Sequence, residues 1–343
     1  MNAPKNILIV RTDRIGDVVL SLPIAKIVKI HYPDCKISYL LRDYTKSIAE
    51  KHPFIDEVIT LQQNNGGFDL GKNVAQLKFK NFDSCIIVYP TFKISLLLFL
   101  SGIKTRIGTG YRWYSFLFNK KIYEHRKNAE KHELEYNVNL LKALGITEEI
   151  SVNNVEFDLP IDKDDLTTVK NKLKNLNIGT EEKIIIIHPG SGGSSIDLPI
   201  NKMIEITNRI SKFNHVKIFI TGSKSEIDLC EKLVTSERVF NLAGNLSLGE
   251  LVALISLCNL FISNSTGPIH IAAALNKFTI GFYPKIKECS QKRWGPYTEK
   301  KTIFTPTINC RDCTREQCEK LDCMDSIDIG RVFDETKSIL QNL

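Results

Sequence analysis

Two successive runs of apolar strand alternating with amphipathic helix restrict the folds open to this chain more than any other feature. In the first half, candidate strands at residues 7–10, 36–41, 57–61, 84–89 and 105–108 alternate with helical segments, the last at 131–144. In the second, strands at 184–188, 216–221, 260–262 and 278–282 alternate with helices at 199–212, 225–234 and 248–257. Strand, crossover helix and strand again gives parallel sheets covered by helices on both faces. At 343 residues the chain is too long for one compact core. The pattern therefore predicts an α/β protein of two doubly wound, Rossmann-like domains whose parallel sheets face each other across a cleft. The expected boundaries are 1–160, a helix-bearing linker at 161–182, 183–325, and a final helix at 326–343.

Ligands of such folds bind at the carboxyl ends of strands, and two corners there carry suitable residues. Ser263 to His270 lies between an apolar strand and an alanine-rich helix. A helix start leaves N–H groups unpaired and bears partial positive charge, so it suits an anion. Ser265 and Thr266 offer hydroxyls, Gly267 permits close approach, Pro268 wastes no N–H, and His270 falls in the first turn. A capped helix with no ligand is the alternative. The other corner, Arg11-Thr12-Asp13-Arg14-Ile15-Gly16-Asp17, leads from the first strand into a helix expected to run to about residue 32. It has one glycine where a dinucleotide fingerprint needs three, which disfavours a dehydrogenase.

The net charge of +7 suggests acidic partners, and no nucleic-acid-binding signature accompanies it. The N-terminus does not read as a secretion signal, and the longest apolar run, 94–100, is far short of a membrane span. The expected location is the cytoplasm, with peripheral contact at the inner face of the inner membrane.

Ile15-Gly16-Asp17 with Pro23, Arg106-Ile107-Gly108, His132-Glu133, His188-Pro189-Gly190, Thr221-Gly222 and Ser265-Thr266-Gly267-Pro268-Ile269-His270, in this order and spacing, resemble the bacterial heptosyltransferases, glycosyltransferase family nine. The resemblance covers nearly the whole chain. It implies the GT-B architecture, with an acceptor-binding first domain and a nucleotide-sugar-binding second domain, usually for ADP-heptose. The carboxylate matching Asp17 is the base that the resemblance implies.

Transfer from a diphosphate donor needs an acceptor hydroxyl deprotonated, aligned with the anomeric carbon, and the departing charge stabilised. The leaving group needs no proton, so one base suffices, no cofactor is required, and attack opposite the leaving group inverts the anomeric centre. Asp17 takes that role here, with an ordinary helix cap as the alternative. Asp13 is read as a solvated loop residue on the acceptor side rather than half of a glycosidase-like pair. Arg11, Arg14, Arg106 and Arg112 are candidates to hold an acidic acceptor such as the ketosugar acid of the lipopolysaccharide core.

On the donor side, Ser191 and Gly192 stand in a loop able to wrap phosphate as a backbone nest does. Glu226 matches a family position that holds ribose, and Leu246 lies in a loop resembling one that lines adenine. Many relatives have Asp in place of Ser265 and a cation near Ile196, so Lys285, Lys287 or Arg293 would have to supply the missing charge. A hexosyltransferase using another nucleotide sugar, or a non-catalytic nucleotide-sugar or glycan binder, therefore stands beside the heptosyltransferase reading.

Cys310, Cys313, Cys318 and Cys323 are spaced closely enough for a structural zinc, although reduced local structure or an iron–sulfur or redox role fits the spacing too. Similar clusters occur in some members of the family resembled. Cys35, Cys85, Cys230 and Cys258 read as core. Residues 113–118, rich in aromatics and followed by Lys120, Lys121, Arg126, Lys127 and Lys131, read as core in preference to a lipid-facing surface.

Overall fold

A computed structural model describes residues 3–64, 67–179, 181–308 and 313–342. The chain divides into two compact units, residues 1–160 and 161–343. The first contains strands β1 (Asn6–Val10), β2 (Lys36–Leu41), β3 (Glu57–Thr60), β6 (Ser84–Ile87), β7 (Thr105–Thr109) and β8 (Lys120–Ile122), while β4 (Gln63–Asn64) and β5 (Gly67–Phe68) pair apart from them. The second contains β9 (Lys183–His188), β10 (Val216–Ile220), β11 (Val239–Asn241), β12 (Leu260–Asn264), β13 (Phe278–Phe282) and β14 (Lys301–Phe304).

The sheet orders are β3-β2-β1-β6-β7-β8 and β11-β10-β9-β12-β13-β14, and every pairing within them is parallel. Counted within its own sheet, each reads 3-2-1-4-5-6, the doubly wound order of a dinucleotide-binding fold. The direction of winding reverses between β1 and β6 in one unit and between β9 and β12 in the other. Ligand loops belong there. The central strands are apolar on both faces because helices cover both: Ile7 to Val10 and Ile185 to Ile187 are fully buried.

Local details differ from the sequence pattern. The helix expected to run to residue 32 is two helices, Ile15–Val19 and Pro23–His31, because Pro23 lacks an N–H and starts a new helix where it could not continue the old one. The aromatic stretch 113–118 is divided between inside and outside: Tyr114, Leu117 and Phe118 are core, whereas Trp113 and Phe116 are exposed. In the second unit, Asp162 caps the helix Lys163–Asn175, and Lys172 of that helix meets Glu250 of the helix Leu248–Leu257 at 2.7 Å. Among the described residues no helix is long and apolar enough to cross a membrane.

Candidate active site

The loop after β1 carries a buried charge network. Arg11 is 1% exposed, and its guanidinium reaches three carboxylates: Nε to Asp13 at 2.8 Å, Nη1 to Glu133 at 3.5 Å, and Nη2 to Oδ1 of Asp17 in a short contact. Arg126 adds a second cation, donating to Glu133 at 2.5 Å and to Asn137 at 3.1 Å. Asn137 also accepts from Arg11 at 3.3 Å and donates to the carbonyl of Leu20 at 3.0 Å, tying the network to the turn between the first two helices. Asp17 sits in the first turn of the helix Ile15–Val19 without capping it. Arg11 holds one of its oxygens, and no donor among the described residues is bonded to the other, Oδ2.

Three carboxylates against two guanidinium groups leave one negative charge in excess. Asp13 is where that excess is relieved: burial and the charge of Asp17 push its carboxyl up to about 7, against the pull of Arg11. It is therefore no solvated loop residue. Its side chain is 11% exposed, and Tyr44 donates to its backbone carbonyl at 2.6 Å.

The four arginines expected to hold an acceptor separate into two kinds. Arg11 is an internal strut with no surface to offer. Arg106 spends its guanidinium on the carbonyls of Leu117, at 2.7 Å, and Ile103, which pins the loop between β7 and β8. Arg14 and Arg112 are exposed and available to a ligand. Glu133, Asn137 and Arg126 were not legible as site residues; the only sequence signal was the His132-Glu133 pair, whose histidine caps the helix Glu133–Asn139.

The second unit has a neutral corner at the equivalent place. Ser263 and Asn264 end β12 fully buried, and Ser265, Thr266 and His270 are buried too. Asn264 bridges the switch point, donating to the Pro189 carbonyl at 2.6 Å and accepting from the Leu198 amide at 2.8 Å. The helix Gly267–Ala274 begins with Thr266 in extended conformation and no side-chain cap bond, so its first amides retain their donor capacity.

The glycine-rich loop after β9 is closed on itself. The Ser191 amide donates to Asp197 at 3.2 Å, its hydroxyl to the Ser195 carbonyl at 3.5 Å, and the Gly192 amide bonds Glu226. Its amides thus already bind carboxylates, and a phosphate would have to displace them. Glu226 accepts from the amide and hydroxyl of Ser223 at 2.8 and 2.6 Å; burial pushes its carboxyl up, but these bonds and the nearby His188 outweigh it and the net shift is down. Burial pushes the His188 imidazole down to about 4, and its Nδ1 lies 2.9 Å from the Thr221 hydroxyl. Leu246 is half-buried in the loop after β11.

Ile196 belongs to the apolar core, so no cation could stand there without a different loop. The cation that does meet this loop is one that sequence reasoning missed, Arg315, which donates to the carbonyls of Gly193 and Ser195 at 3.1 and 2.9 Å. Of the residues expected to replace a cation at 196, Lys285 is bonded to the Ile308 carbonyl at 2.9 Å and Arg293 lies over the Trp294 ring. The zinc expectation fares differently from the core expectation for the other cysteines. Cys310 lies outside the described residues, Cys318 and Cys323 are packed in the apolar core with Cys313 against it, and no group of three metal-ligating side chains is found among the described residues. Cys35, Cys85, Cys230 and Cys258 are buried as expected.

Two doubly wound units, each with a polar corner at its switch point, make up the GT-B architecture. The profile of glycosyltransferase family 9 (heptosyltransferase) matches residues 71–323, and the chain belongs to that family. A Haemophilus influenzae protein named only as a glycosyltransferase is 30% identical over 88% of this chain and 89% of its own length. Lipopolysaccharide heptosyltransferase 1 of Campylobacter coli is 26% identical over 97% of this chain and 92% of its own. Among solved structures, a family 9 glycosyltransferase from Veillonella parvula superposes with a TM-score of 0.83 at 18% identity, covering 99% of this chain and 98% of that one.

Proposed function

We propose that the enzyme transfers heptose from ADP-heptose to a lipopolysaccharide-core or related glycolipid acceptor, with inversion. The observation that carries the mechanism is Asp17, held through one oxygen by a buried arginine while no donor among the described residues is bonded to the other. In this reading Oδ2 of Asp17 takes the proton of an acceptor hydroxyl as that oxygen attacks the anomeric carbon. The carbon–oxygen bond to the diphosphate breaks, and its electrons leave with ADP. The amides at the start of the helix Gly267–Ala274, with the hydroxyls of Ser265 and Thr266, meet the departing charge. Arg14 and Arg112 are the exposed cations for an acidic acceptor. Glu226, as a carboxylate, suits ribose hydroxyls rather than phosphate. Such an acceptor is anchored in a membrane, so the enzyme works at the inner face of the inner membrane.

The test is donor consumption with acceptor present, compared with Asp17→Asn. Loss of a general base should lower kcat by about 10²- to 10⁴-fold. Equal turnover by the two proteins removes Asp17 from the mechanism. Ile196 in the core and the neutral Ser265 favour a second reading, a hexose carried by another nucleotide. Thermal shifts with ADP-, GDP- and UDP-sugars separate the two, because a ligand of the folded state raises its melting point. A shift with ADP-sugars alone supports heptose, and one with UDP- or GDP-sugars alone supports the hexose reading.

A further inference from the structure

We infer that the helix Phe92–Leu100 and the loop after β7 form a docking surface for an anionic phospholipid bilayer. The segment 84–123 contains six Lys or Arg residues and no Asp or Glu. Within 89–123, about a tenth of the chain, lie eight of the fifteen exposed large hydrophobic side chains among the described residues. Seven of those eight are aromatic. Scattered exposed apolar residues are ordinary, but a concentration of them marks an interaction surface.

Two contacts tie the helix Phe92–Leu100 to the loop after β7. Phe92 at the start of the helix stacks on Trp113, with ring centroids 4.9 Å apart, and Trp113 is 73% exposed. From there the chain runs through exposed Phe116 to Leu117, whose carbonyl accepts from Arg106, and the guanidinium of Arg106 lies 5.2 Å from the Phe99 ring. Exposed Leu100 completes that end. The helix lies against the sheet through Ile94, Leu97 and Leu98, which are core, so its outer stripe is not needed for folding.

The occupant follows from charge and chemistry. A second copy presenting the same patch would bring six cations against six with no carboxylate from this segment to offset them. A bilayer accepts phenyl, indole and leucyl side chains at the level of its headgroups, and anionic lipids attract the flanking lysines. Phe92 and Trp113 follow β6 and β7 at the carboxyl edge of their sheet, the edge that also bears Asp17 after β1. Only the further step, that a membrane-embedded acceptor meets the base there, rests on the proposed transfer reaction.

The experiment uses the full chain without donor or acceptor, so its failure is separable from failure of that reaction. The chain has two tryptophans, and Trp294→Phe leaves Trp113 as the sole indole reporter. Vesicles of phosphatidylcholine with phosphatidylglycerol should sediment the protein and shift Trp113 emission to the blue, whereas phosphatidylcholine alone should bind it far more weakly. Phe116→Ser in that background, and Trp113→Ser/Phe116→Ser in the native chain, should lower partitioning at least about tenfold with an unchanged melting point. Lys93→Glu/Lys121→Glu should do the same through charge. Equal partitioning of native chain and aromatic double variant overturns the inference. So does self-association, or capture of a nucleic-acid oligomer, that the double variant abolishes while anionic vesicles are ignored.

Discussion

Asp13→Asn separates the charge account of the first corner from a purely geometric one. The Asp13 carboxyl stands at about 7 in the folded protein against an ordinary 3.8, chiefly because it is buried, with the charge of Asp17 adding to the rise. A raised carboxyl means that the folded state binds the proton more tightly than the unfolded chain does. Its stabilising contribution is therefore complete below pH 3.8 and is lost progressively as pH rises to about 7. Between pH 5 and pH 7 the loss amounts to about 2 kcal/mol at 1.36 kcal/mol per unit, because the group is still half protonated at pH 7, and the small remainder is lost just above. Asparagine cannot ionise, so the variant lacks this loss. Its constant offset, from altered packing against Arg11, is the same at every pH and cancels when differences are compared. The stability of variant minus native chain should accordingly rise by about 2 kcal/mol from pH 5 to pH 7 and level above about pH 8. Hydrogen exchange of the β1 amides reports opening of this unit without requiring the whole chain to unfold in one step. A difference that stays flat across this range would mean that the proton resides elsewhere, and the assignment of Asp13 as its holder would be wrong.

Arg11→Met should destabilise the first unit by about 3–5 kcal/mol, since it leaves Asp13, Asp17 and Glu133 with Arg126 alone, and a lowered melting point checks it. Arg11→Lys keeps the charge but replaces a three-way fork with a single point, so the expected outcome is a folded protein with kcat reduced. In the second unit, a Cβ at residue 190 would lie 1.9 Å from Oε1 of Glu226. Gly190→Ala should therefore displace that carboxylate and raise the donor KM with less effect on kcat, whereas an unchanged KM would detach Glu226 from donor binding.

The parts of this structure legible in the sequence are those written locally. β9, with its four consecutive isoleucines, and β1 announce themselves because both of their faces are buried, so their apolar runs are unbroken. In the two six-stranded sheets three strands escaped notice, β8, β11 and β14, and all three are outermost in their sheets, where a half-covered strand of three or four residues needs no apolar run. The site divides in the same way. Ser265 to His270 and Asp17 are recognisable because the features that define them lie within a few residues of chain. The role of Arg11 is not, because two of its partners, Glu133 and Asn137, are 122 and 126 residues away. Arg315 meets the Gly193 carbonyl across 122 residues, and nothing near either position in the sequence signals the contact.

The two corners share a topology and differ in charge, and the proposed transfer would use both facts. A base must be an anion with a lone pair exposed to the acceptor, and an isolated carboxylate in a buried turn would take up a proton instead. Arg11 holds one oxygen of Asp17, while the surplus negative charge is relieved at Asp13. The corner proposed to receive the diphosphate has a different make-up. Its buried polar side chains, Ser263, Asn264, Ser265 and Thr266, carry no charge in this chain. The carboxylates nearest in the fold, Asp197 and Glu226, are bonded to the Ser191 and Gly192 amides. Fixed dipoles at the start of the helix Gly267–Ala274 then face an anion without a competing negative charge in the same turn. Doubling one sheet topology supplies two such corners, and in the proposed reaction the residues at each switch point make one a proton acceptor and the other a receiver of negative charge.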